Sequence, residues 1–90
     1  MRIDVTQKHI DEGLPGEADG CAIVKAINEQ TGLDWATDNN FAYQLDCCGR
    51  LLGDVTVTLP DAAALWGYRY DARLRIEPFS FEFPWEPAPA

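Results

Sequence analysis

Asp19-Gly20-Cys21-Ala22-Ile23-Val24-Lys25-Ala26-Ile27-Asn28-Glu29-Gln30-Thr31-Gly32 reads as an amphipathic helix, and the rest of the chain is organised around it. Asp19 is a suitable N-cap, because its side chain accepts hydrogen bonds from the first free N–H groups. Gly32 can take the left-handed conformation that closes a helix. Ala22, Ile23, Ala26 and Ile27 recur at helical spacing and form an apolar stripe, with Val24 on its flank. Lys25, Asn28 and Glu29 face away from it. The stripe is rich in small residues, so the helix over 20–31 can lie close to a partner surface. The chain beyond Gly32 alternates with a period of two, so that surface is expected to be a sheet.

On the N-terminal side, Arg2 to Thr6 alternates, with Ile3 and Val5 on one face, and predicts a first strand. Thr6 to Ile10 predicts a short helical turn capped by Thr6. Asp11 to Glu17 reads as an acidic loop, since two Gly and one Pro break any periodicity. Leu33 to Thr37 predicts a short strand and Asp38-Asn39-Asn40 a turn. In Phe41 to Cys47 the larger side chains, Phe41, Tyr43, Leu45 and Cys47, share one side. Cys48-Gly49-Arg50 is a turn. From Leu51 to Leu59, Val55, Val57 and Leu59 point inward while Thr56 and Thr58 point out. These two strands are expected to pair antiparallel.

Pro60 to Asp71 predicts a second helix, with Pro60 in its first turn and Asp61 at the positive end of its dipole. Its expected buried stripe is Ala62, Leu65, Trp66 and Arg69 or Tyr70. Pro78 to Phe83 predicts a last strand carrying Phe79, Phe81 and Phe83 on one face. The expected fold is a single α+β domain over residues 1–83. An antiparallel sheet of four or five strands packs against one main helix and a second, shorter one. Residues 84–90 form a Pro-rich C-terminal tail.

The 90 residues carry 15 acids and 7 bases, a net charge of −8. The acids concentrate early: residues 1–48 hold nine acids and three bases, residues 49–90 six and four. Direct binding of nucleic acid is disfavoured, because phosphate contacts need Lys and Arg. An anionic membrane surface is disfavoured for the same reason. No run approaches the roughly 20 apolar residues of a membrane span, and no secretory leader is visible. Three cysteines, two of them adjacent, suit a reducing compartment, so a cytoplasmic location is expected.

No catalytic motif stands out, and the expectation is a non-enzymatic protein without metal or cofactor. His9, Cys21, Cys47 and Cys48 have the residue types of a zinc site but not its spacing. Cys21 at a helix start with His9 as base would make a nucleophilic pair. The plainer alternative is a core cysteine and a surface histidine. Trp35 and Trp66 sit where core residues belong, which leaves Trp85 in the tail as the aromatic candidate for an exposed contact. Arg69, Arg73 and Arg75 form a basic cluster. The remaining feature is the acidic set Asp11, Glu12, Glu17, Asp19, Glu29, Asp34 and Asp38. Carboxylates on a rigid domain can imitate the phosphate row of DNA and occupy a basic protein groove. The alternative is a solvated face that serves only solubility.

Val5-Thr6-Gln7-Lys8-His9-Ile10-Asp11-Glu12-Gly13 resembles the opening V-T-Q-x-H-I-x-x-G of a group of small phage, prophage and bacterial proteins of unknown function. Cys21-Ala22-Ile23-Val24-Lys25-Ala26-Ile27 is similar to the helix C-x-[IV]-x-x-A-[IL] that comes next in that group. Leu59-Pro60, Tyr70-Asp71-Ala72 and Glu77-Pro78-Phe79-Ser80-Phe81-Glu82 also look similar. Many members of the group carry another cysteine before the helix and a Pro after its first cysteine, where this chain has Ala18 or Asp19 and Ala22. The setting in mobile elements implies an accessory protein acting on a host machine. By analogy of size, charge and setting, it implies a phage anti-CRISPR inhibitor. The expected partner is a subunit of a type I CRISPR effector, bound by a monomer through the acidic set so that target DNA is excluded. The alternative is a small accessory binding domain with an unrelated partner.

Overall fold

A computed structural model describes residues 1–17, 20–38 and 40–85, with all of their side chains except that of Asp54. The order is β1 (Arg2–Val5), α1 (Gln7–Glu12), α2 (Ala22–Thr31), β2 (Asp34–Thr37), β3 (Phe41–Leu45), β4 (Leu51–Thr58), α3 (Asp61–Asp71) and β5 (Phe79–Glu82). The chain is an α+β domain whose strands pair antiparallel. Among the described residues the strands form two sheets, β1-β5 and β2-β3-β4.

The main helix, α2, stands between the sheets and packs on both β1 and β2. Ala22, Ile23, Val24, Ala26 and Ile27 are buried along it, so the expected stripe and its flank form one core face. The helix begins at Ala22 with Cys21 as its cap residue, two positions later than the sequence suggests, and Asp19 lies outside the described residues. Gly32 closes it at φ 74°, and its amide donates to Asn28 O at 2.9 Å.

Two polar side chains of α2 join helix to sheet. The Gln30 amide makes paired bonds with Asp4: Asp4 N–H donates to Oε1 at 2.9 Å and Nε2 donates to Asp4 O at 2.8 Å. Gln30 thus occupies the edge of β1 that faces away from β5, as a neighbouring strand would. Asn28 Oδ1 accepts the Trp35 amide at 2.8 Å on β2.

Trp35 is the hinge between the sheets. It is fully buried, its indole N–H donates to Thr31 Oγ1 at 3.1 Å, and its ring meets Phe83 edge-on at 5.1 Å. Phe81 and Phe83 are buried and Phe79 half-buried, as the alternation predicts. Trp85, expected to be an exposed contact, packs edge-on against Trp35 at 5.4 Å and is half-buried. Residues 86–90 of the expected tail lie outside the described residues.

On β3 the larger residues Phe41, Tyr43 and Leu45 share one side, as the alternation predicts, and it is the outer one: Ala42 is buried, whereas Phe41 is exposed and Tyr43 and Leu45 are half-buried. Ala42 stands opposite buried Val57 and beside buried Thr37, so the core face of this sheet has room for a methyl group and the larger side chains take the outer face. Two expectations are corrected. On α3 Trp66 and Tyr70 are buried as expected, but Ala63 and Gly67 complete the stripe and Ala62, Leu65 and Arg69 are exposed. Burying two aromatic rings outweighs burying one leucine, and the helix turns accordingly. Finally, α1 runs to Glu12, so Asp11 and Glu12 end a helix instead of starting a loop.

Candidate functional site

Helix α1 is set by one histidine. Thr6 N–H donates to His9 Nδ1 at 2.9 Å, which closes the first turn from the side-chain end. Because Nδ1 accepts, the ring proton sits on Nε2, where it faces Glu29 Oε2 at 3.3 Å. His9 is 3% exposed, so the surface position expected for it is corrected: it is the buried link between α1 and α2. The bond joins Glu29, exposed on α2, to the α1 unit.

Asp11 and Glu12 are exposed at the end of α1, and Asp11 accepts a 2.9 Å bond from Gln7 Nε2 one turn earlier. Glu17 is exposed in the loop after α1. That loop is tied down at several points. Gly13 N–H donates to His9 O at 2.9 Å, Leu14 N–H to Gly20 O at 2.8 Å and Cys21 N–H to Glu17 O at 3.1 Å. Gly16 N–H donates to Asp71 Oδ1 at 2.9 Å, anchoring the loop to the end of α3. At Gly13 a Cβ would run into Tyr70 Oη and lie 2.8 Å from Ala22 N, so only glycine lets α1, α2 and α3 meet there. The Tyr70 hydroxyl donates to Ile10 O at 3.2 Å. Its pKa is raised, first by burial and then by Cys21, Asp71 and Asp11 nearby, so it stays a neutral donor.

The rest of the acidic set stands apart. Asp34 is the first residue of β2 and Asp38 comes directly after its last, so the two stand about 13 Å apart along the chain. Asp38 is engaged within its own turn. Its Oδ1 accepts the amides of Asn40 at 3.0 Å and Phe41 at 2.8 Å, and its Oδ2 accepts the Tyr43 hydroxyl at 2.9 Å. Desolvation pushes its pKa up, but the bonds from Phe41, Tyr43 and Asn40 outweigh it and hold the carboxyl below its ordinary value. The same Tyr43 bond raises the phenol. Of the seven acids, Asp11, Glu12 and Glu17 therefore share one braced unit and Glu29 joins it through His9. Asp34 and Asp38 lie at opposite ends of β2, and Asp19 lies outside the described residues.

The Cys21–His9 pair does not form. Cys21 Sγ contacts Thr37 Oγ1 at 3.4 Å in the core, and the His9 ring is taken by Thr6 and Glu29. Among the described residues no three His, Cys, Asp or Glu side chains come together to hold a metal ion. No helix among them is long and apolar enough to cross a membrane.

Sequence reasoning missed a concave feature elsewhere. A shallow groove of about 460 Å³ runs between α3 and the segment leading into β5, floored by Trp66 and Phe79 and edged by Leu65, Arg69, Arg75 and Ile76. Trp66 stacks on Phe79 at 4.9 Å and on Tyr70 at 5.4 Å, and its indole N–H donates to Glu77 O at 2.9 Å. The Arg69–Arg75 cluster is visible in the sequence; its setting over a tryptophan is not, because that depends on which way α3 turns. The chain matches no model of a protein family, no curated protein and no solved structure.

Proposed function

We propose that this chain is a non-enzymatic inhibitor whose acidic face occupies a basic, DNA-binding surface on another protein. In this reading the partner is a subunit of a type I CRISPR effector, met by a monomer in the host cytoplasm, as the resemblance to small mobile-element proteins implies. One observation carries the proposal. Asp11, Glu12 and Glu17 are exposed on a unit with no Lys or Arg between them, braced by backbone bonds and by Asp71. Carboxylates carried on a fixed backbone leave less chain to order on binding, and a groove built for phosphates attracts them at long range.

The test is a gel shift of target DNA with purified RNA-guided effectors, type I complexes first, with and without the protein. The expected result is loss of the shifted band with the protein co-eluting on the effector. Asp11→Lys, Glu12→Lys and Glu17→Lys together should restore the band while the circular dichroism spectrum stays that of the parent. Inhibition by the triple variant at parental strength would rule out the acidic unit. Unchanged bands with the parent protein across the panel would remove the inhibitor reading.

The groove over Trp66 favours a second reading, a small accessory binding domain in which acidity serves solubility. In that case Arg69→Glu with Arg75→Glu, not the acidic triple variant, abolishes capture of the partner.

A further inference from the structure

We propose that Cys47 and Cys48, at the tip of the β3–β4 hairpin, form a two-sulfur site for a soft, thiophilic metalloid of the trivalent organoarsenical class. Both side chains are exposed, and their sulfurs lie 3.8 Å apart. The turn that carries them is closed from within. Asp46 Oδ1 accepts the amides of Cys48 at 2.8 Å and Arg50 at 3.0 Å, Asp46 N–H donates to Arg50 O at 2.8 Å, and Gly49 adopts φ 80°. The backbone is thus fixed before any ligand arrives, which lowers the cost of ordering two thiols around one centre.

The spacing decides what the pair suits. Two sulfur bonds of about 2.3 Å meeting at roughly 100° leave the sulfurs about 3.5 Å apart, so the pair at 3.8 Å needs to close by only about 0.3 Å. A disulfide suits the pair poorly: neighbours joined by a trans peptide have Cα atoms about 3.8 Å apart, against the roughly 4.4–6.8 Å that a relaxed disulfide spans. A structural zinc site needs four ligands, and among the described residues no third His, Cys, Asp or Glu joins the pair. An organoarsenical needs only two sulfurs, since its third position is already filled by carbon.

The reaction conserves oxidation state. With phenylarsine oxide, two S–H protons leave with the oxide oxygen as one water, two As–S bonds form, and arsenic stays trivalent.

Phenylarsine oxide titrated into the reduced, folded protein, followed by intact mass, tests the assignment. One adduct per chain is expected, with both exposed thiols lost to a thiol reagent and recovered on adding a small dithiol. Cys47→Ser and Cys48→Ser should each weaken binding by about 10²–10⁴-fold, the loss expected when a second attachment is removed. Cys21→Ser should bind as the parent does. A parent protein that takes up no arsenical, or single-serine variants that hold it as tightly as the parent, would overturn the proposal.

Discussion

Asp38 shows how a surface carboxylate becomes part of the fold. Its two oxygens close the β2–β3 turn through two amides and a phenol, and its pKa is depressed in the folded chain. A depressed carboxylate contributes stability that is present above its unfolded pKa and lost as pH falls through its folded pKa. Asp38→Asn is therefore expected to lower the melting temperature at neutral pH. The gap to the parent should narrow as the pH drops through the carboxylate range. Melting curves from pH 7 to pH 2 check this, and a gap of constant width would show that the charge contributes nothing. The sequence shows Asp38 as turn chemistry and as one acid among seven. It does not show that the turn consumes both oxygens, because that requires Tyr43 to lie on the outer face of β3, and the spacing leaves the choice of face open. The burial of His9 is hidden for a related reason. A lone histidine in a polar stretch looks exposed until α1 is seen to lie against α2.

The elements are legible where periodicity is strong. The stripe of α2, the alternation of β1 and β5, and Gly32 as the stop of α2 stand as the spacing predicts. What periodicity cannot supply is rotation about an element's own axis when two faces are similarly apolar. On α3, Leu65 and Ala63 are close alternatives for the buried side, and only the stacking of Trp66 with Phe79 and Tyr70 selects between them. Nor does it show polar side chains that serve as sheet partners. Gln30 is the clearest case. Gln30→Ala removes both bonds to Asp4, at about 0.5–1.5 kcal/mol each, and opens the edge of β1. A loss of about 1–3 kcal/mol is expected, or roughly 4–24 °C in melting temperature for a domain of this size. Gln30→Met keeps the side-chain stem and should fall about as far. If it retains parental stability, the contribution is packing and not hydrogen bonding.

Across the domain, the two sheets are held together by α2 and by Trp35, whose ring reaches from β2 to Phe83 and Trp85 just beyond β5. Ending the chain at Pro78 removes Phe81 and Phe83 from the core and leaves β1 without its strand partner. Fully burying one phenylalanine contributes about 1.5–3 kcal/mol, and a domain of this size has about 5–15 kcal/mol in all. The 1–78 fragment is expected to lack a cooperative thermal transition by circular dichroism. A sharp transition from that fragment would mean that the three-stranded sheet and α2 fold without β5.

The β1–β5 pair also sets a clock. Its register partners, from Val5 with Phe79 to Arg2 with Glu82, are 74 to 80 positions apart. At about 5–20 residues per second on the ribosome, the completed first strand waits roughly 4–16 s for its sheet partner to be synthesised. Gln30 comes only 26 positions after Asp4 and is made well before then. A newborn chain can thus cover one side of its first strand with its own helix while the other side stays open for most of synthesis.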